Sequence, residues 1–144
     1  MDIVNEMRLV MDSRSINEGF SRVAVSAFIA SADPNIEELT DIKTAVSEAV
    51  TNAIVHGYRE KNGKIYITVS IFENNTIRIK IRDKGVGIAD IEKAMEPLFT
   101  TAGEERAGLG FAVMESFMDK VRVSSKPDMG TIVTMEKRIW GKRL

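Results

Sequence analysis

Over residues 36–58 apolar side chains recur every three or four positions, at Leu39, Ile42, Ala45, Val46, Ala49, Val50, Ala53 and Ile54. That spacing gives a helix one broad buried face. From Ile65 the period changes to two. Ile65, Ile67, Val69 and Ile71 point one way, Asn74-Asn75 supplies a turn, and Ile77, Ile79 and Ile81 repeat the alternation, which predicts a hairpin buried on one face. A weaker alternation over residues 6–11, with Leu9 and Met11 on one side, predicts an edge strand. Ser15-Ile-Asn-Glu18 matches a capping box, so a helix is expected from there to about Ala32, where Asp33-Pro34-Asn35 breaks it.

Downstream the pattern loosens. A short helix is expected over residues 90–95 and a mobile loop over residues 97–107. A further helix should begin at Gly108-Leu-Gly110, with Leu109, Val113, Met114 and Phe117 as its apolar positions. Strands around residues 121–125 and 131–137, joined by a turn at Pro127-Asp128-Met129-Gly130, complete the chain. The summed expectation is a single α/β domain of the α+β type over residues 1–144. It is a two-layer sandwich in which a mostly antiparallel mixed sheet is covered on one face by three longer helices.

Composition narrows the chemistry. With no cysteine and one histidine in 144 residues, thiolate metal sites, disulfides and histidine-rich zinc clusters are excluded. Twenty basic against 21 acidic side chains leave the totals balanced, so no direct nucleic-acid partner is expected from net charge. No apolar run reaches bilayer length and the first residues lack the order of a secretory signal, giving a cytoplasmic expectation with no membrane partner. The tail from Lys137, with four basic residues around Trp140, reads as a solvated end.

Two stretches carry candidate chemistry. Glu48 and Asn52 stand one turn apart on one helix face, where the amide oxygen can hold a magnesium ion that otherwise takes water and phosphate oxygens. Glu48 beside it can accept a proton as a general base. His56 continues that face and reads as structural. At the end of the second hairpin strand, Asp83 can accept the amino hydrogen of adenine, while Gly85 and Gly87 leave backbone bare for a flat base. Thr131 can add a hydroxyl to the same edge. Gly108 and Gly110 at a helix start suit phosphate oxygens, and the preceding Thr100, Thr101 and Arg106 can close over a triphosphate. No P-loop and no His-Arg-Asp kinase motif is present.

In order, Glu48-x-x-x-Asn52, Asp83-x-Gly85-x-Gly87, Gly108-x-Gly110 and Gly130-Thr131 resemble the GHKL ATPase and kinase superfamily. Ser47-Glu-Ala-Val-Thr-Asn-Ala-Ile-Val-His-Gly57 and Pro97-Leu-Phe-Thr-Thr101 are similar to its anti-sigma kinases. The resemblance implies ATP and Mg2+ as cofactors, a sporulation sigma factor as sequestered partner, and serine phosphorylation of an anti-anti-sigma protein. It implies Glu48 as catalytic base, Asn52 as metal ligand, Asp83 with Thr131 at adenine, Arg106 near the phosphates, Arg22 at the partner surface, and a homodimer. The chain departs from that family at Ala102-Gly103 and Ala107, where Lys-Pro and serine are usual. Two alternatives stay open: a non-catalytic, nucleotide-regulated binding module, and an anti-sigma kinase for a stress-response sigma factor.

Overall fold

The structure, a computed structural model, describes residues 1–59, 61–91, 95 and 102–141, with the backbone alone for residues 102–108. Five strands form one sheet in the order β1 (Ile3–Asp12), β2 (Lys64–Phe72), β3 (Thr76–Asp83), β5 (Gly130–Arg138), β4 (Lys120–Lys126). All four pairings are antiparallel, so the sheet is not mixed. The fold class is α+β, as the alternating strands and the period-three-to-four helices predict. Strict alternation on β3 buries Ile77, Ile79, Ile81 and Asp83 and turns Arg78, Lys80 and Arg82 outward. β1 is an edge strand, as expected.

Helices α1 (Ile16–Ile29), α2 (Ile36–Asn52) and α3 (Ala102–Phe117) contribute the other layer. α2 sits centrally, with Ile42, Val46 and Val50 fully buried against a core that includes Ile65, Ile67, Ile79 and Met135. It does not continue as an α-helix to Tyr58. After Asn52 the chain widens into a π-turn over Ala53–Gly57, closed by the Tyr58 N–H donating to the Ala53 carbonyl at 2.9 Å.

Two local expectations are corrected. Ser15 makes no side-chain cap; Glu18, its expected partner, accepts instead from the Ser47 hydroxyl and pairs with Arg22 at 3.2 Å. The capping box forms one helix later, where Asn35 accepts from the Glu38 N–H at 2.8 Å and Glu38 accepts from the Asn35 N–H at 2.9 Å. The helix expected to start at Gly108 already runs from Ala102, which puts Gly108 and Gly110 inside it. Residues 92–94 of the short helix expected over residues 90–95 lie outside the described residues, as do residues 97–101 of the expected loop.

The C-terminal segment is tethered rather than fraying as far as Gly141. The same buried Glu38 accepts from the Trp140 N–H at 2.8 Å and the Gly141 N–H at 3.1 Å. Burial pushes the Glu38 carboxyl up, but the three backbone donors and Lys137 outweigh it, holding the pKa below the usual glutamate value. Its stabilisation is therefore present above the unfolded-state pKa and is lost as pH falls through the lower folded-state value. Glu38→Ala removes half of the capping box and orphans the tail's donors. The expected loss is about 2 kcal/mol in urea unfolding at neutral pH, with a smaller gap to the parent protein in acid.

Candidate functional site

Glu48 and Asn52 are positioned by the buried face of α2, which fixes the helix's rotation through Ala45, Ala49 and Val50. Their side chains meet α3 where Gly110 faces them. A Cβ on Gly110 would stand 3.1 Å from Glu48 Oε2, 3.1 Å from Asn52 Nδ2 and 3.2 Å from Asn52 Oδ1. Both polar groups thus reach one point, and the missing side chain at Gly110 lets the helix backbone approach them. They line a cavity of about 280 Å³ together with Thr51, Val55, His56, Leu109 and Val113.

Inside this cavity wall the Asn52 Nδ2 is buried and has no hydrogen-bond partner among the described residues. Buried polar groups in folded proteins nearly always find one, so this amide has unmet capacity. A half-turn of the amide presents its oxygen instead, the donor type a magnesium ion takes. Among the described residues no three His, Cys, Asp or Glu side chains converge as a metal cage. A divalent ion here would draw its remaining ligands from water and phosphate, which is the usual magnesium arrangement. The residues fit that group.

The second half of the site is reached through the π-turn. Gly57, five residues beyond Asn52 and roughly 7 Å further along the axis, lies against Asp83: a Cβ there would come within 2.7 Å of the Asp83 Cγ. The Gly57 carbonyl accepts from the Val86 N–H at 2.9 Å. Gly85 passes so close that a Cβ on it would stand 1.9 Å from the same carbonyl oxygen. Gly87 has φ +74° and abuts the Lys126 carbonyl, with a Cβ position 2.1 Å from that oxygen, so no L side chain fits there. The backbone from Asp83 to Gly87 is thereby clamped between the end of α2 and the β4–β5 turn.

Asp83 is 5% exposed and accepts from the Gly85 N–H at 2.9 Å. Burial pushes its carboxyl above the usual aspartate value, and the backbone N–H groups of Gly85 and Thr131 offset part of that rise. Thr131 is the direct cross-strand partner of Asp83. Its hydroxyl shares a 2.8 Å hydrogen bond with Ser125 Oγ, which also accepts from the Ile88 N–H at 2.7 Å. A buried carboxylate with a neighbouring hydroxyl can read a purine edge that offers an amino donor.

The structure therefore brings Glu48 and Asn52 of α2 together with Gly110 of α3, and separately gathers Asp83, Gly85, Gly87 and Thr131 beyond the π-turn that follows α2. Thr100 and Thr101 lie outside the described residues, and Arg106 and Gly108 are described only as backbone within α3. Because Gly108 and Gly110 are interior, they do not offer the free N–H groups of a helix start. Arg22 lines a neighbouring cavity of about 440 Å³ with Glu18, Ser47 and Thr51, and its side chain is 43% exposed. Sequence reading missed Thr51 and Ser125, and took Gly57 only as a helix stop. Thr51 had a signal, since it precedes Asn52 on the same helix; Ser125 had none, because its place depends on the β4–β5 register.

Fold and site together define a domain of the histidine kinase-like ATPase class, and residues 14–137 match the family described as "Histidine kinase-like ATPase domain". The chain is 53% identical over 137 residues to the anti-sigma F factor of Bacillus subtilis (strain 168), covering 94% of this chain and 93% of that relative. It is 54% identical over 136 residues to the anti-sigma F factor of Clostridium perfringens (strain 13 / Type A), covering 94% and 97%. The chain belongs to the anti-sigma F factor family of histidine kinase-like ATPases. A solved structure of the RsbU and RsbW domains of Rv1364c from Mycobacterium tuberculosis shares the fold, with TM-score 0.70 at 20% identity over 94% of this chain and 33% of that one. No helix among the described residues is long and apolar enough to cross a membrane.

Proposed function

We propose that this single domain is an anti-sigma factor and an ATP-dependent protein serine kinase. It sequesters a sporulation sigma factor of the sigma F type and phosphorylates a serine on the anti-anti-sigma protein that antagonises it. The observation that carries the reading is the meeting, at one point against Gly110, of the Glu48 carboxylate and the Asn52 amide, whose buried nitrogen has no partner among the described residues. The family membership supports both the nucleotide class and the sigma partner.

In this reading Asp83, with Thr131 beside it, holds the adenine edge, and Gly85 and Gly87 give the base room. Asn52 would hold Mg2+, which when bound would supply positive charge to the phosphate oxygens. Glu48 accepts the proton of the attacking serine hydroxyl. Thr100, Thr101, Arg106, Gly108 and Gly110 form the phosphate-side boundary, with Arg106 supplying a positive charge. Arg22, held on α1 by Glu18, faces the protein partners. The protein works in the cytoplasm as a homodimer.

The test is incubation of the full chain with labelled ATP, magnesium and a candidate anti-anti-sigma protein. Phosphoserine on that protein is expected. Tight, nucleotide-dependent binding with no phosphoserine would replace the kinase with a nucleotide-regulated binding module.

A further inference from the structure

Balanced totals of 20 basic and 21 acidic side chains conceal a segregation that appears only in the sheet register. On the sheet face turned away from the helices, one row crosses all five strands as Arg8, Thr68, Lys80, Thr134 and Arg122. At about 4.8 Å per strand this row is about 19 Å wide, with its cations about 10 Å apart and a hydroxyl between each pair. The next outward position on β3 is Arg82, Lys84 follows just beyond the strand with its ammonium over the Tyr66 ring, and Lys126 closes β4. All six basic residues are exposed. The outward carboxylates of the strands, Glu6, Asp12 and Glu136, pair with Arg8, Lys64, and Arg78 with Arg122. Among the described residues, Lys80, Arg82 and Lys126 make no ion pair.

We propose that this open face is a docking surface for the sugar-phosphate backbone of a single-stranded nucleic acid, bound without sequence preference. Alternating cations and hydroxyls are the side-chain types that contact phosphates. Three of the six cations, Lys80, Lys84 and Lys126, are of the residue type depleted at the core of protein interfaces. Tyr66 lies between Val10 and Arg82 in the adjoining row, with Lys84 Nζ 4.9 Å from its ring centre, and gives a base one aromatic surface on the platform. The nucleotide site lies on the other side of the sheet, so this surface is independent of the proposed kinase activity.

Fluorescence anisotropy of a labelled single strand of about 20 nucleotides, titrated with the full chain at about 50 mM salt, tests it. Binding is expected in the micromolar range, with log K falling against log salt at a slope of about −3, as for four to five neutralised phosphates. The triple variant K80E/R82E/R122E should bind at least about tenfold more weakly while its ATP affinity and thermal unfolding are unchanged. Lys43→Glu, exposed on α2, should change binding by less than about twofold. No binding by the parent chain, or equal binding by the triple variant, overturns the proposal. Displacement by a poly-glutamate peptide of matched charge would assign the face to an acidic protein segment. Tighter adsorption to phosphatidylserine vesicles than to the strand would assign it to a lipid surface, and either result also overturns it.

Discussion

A Glu48→Gln variant is expected to bind ATP with near-normal affinity and to transfer phosphate to the partner serine about 10²- to 10⁴-fold more slowly. The substitution keeps size and shape but removes the proton acceptor. Glu48 makes no hydrogen bond or ion pair among the described residues, so the fold does not rely on its charge. Folding stability should therefore stay within about 0.5 kcal/mol of the parent. The carboxylate instead lines the cavity beside Asn52. Single-turnover transfer, measured at saturating ATP and partner, separates chemistry from binding. A rate within about threefold of the parent would remove Glu48 from the role of base, because loss of a positioned base costs far more than that. Loss of ATP affinity with an unchanged transfer rate would instead place Glu48 among the nucleotide-binding groups.

Much of this architecture was legible in the chain because burial and period agree. The isoleucine alternation of β2 and β3 admits one register that buries Ile67, Ile79 and Ile81, since a slip of one residue would turn them all to water. The α2 face is equally explicit, and it places Glu48 and Asn52 one turn apart. The capping boxes show where local sequence stops deciding. Ser15-Ile-Asn-Glu18 and Asn35-Ile-Glu-Glu38 have the same spacing, yet only the second closes, because the Ser47 hydroxyl on α2 and Arg22 one turn further along α1 draw Glu18 away. The start of α3 was misplaced for a related reason. Gly103, Gly108 and Gly110 lower helix propensity, and the packing of Gly110 on Glu48 and Asn52 is visible only when the two helices are brought together. The tail's tether to Glu38 spans 102 residues of sequence, beyond any local pattern.

Asp83→Asn is expected to lower ATP affinity by about 10- to 100-fold in titration calorimetry, the range for losing a hydrogen bond to a charged acceptor. The amide can turn a donor toward adenine's own amino donor, so the contact is lost and partly reversed. Stability should move the other way. Burial raises the folded-state pKa of Asp83, so the native protein holds its proton more firmly than the unfolded chain. Between the unfolded and folded pKa values native stability therefore falls as pH rises, and above both the buried charge is a standing cost. Asparagine removes that cost while still accepting the Gly85 N–H. The ligand-free variant should thus unfold at the same temperature or higher at neutral pH, and its stability should lack the parent's decline through the acidic range. ATP binding by the parent should weaken as pH falls through the raised Asp83 pKa, whereas binding by the variant should not respond there. An equal affinity for ATP in the two proteins would exclude Asp83 from the base edge. A reduced affinity accompanied by a clear loss of stability would mean that the carboxylate serves the clamp around Gly57 and Gly85 rather than the nucleotide.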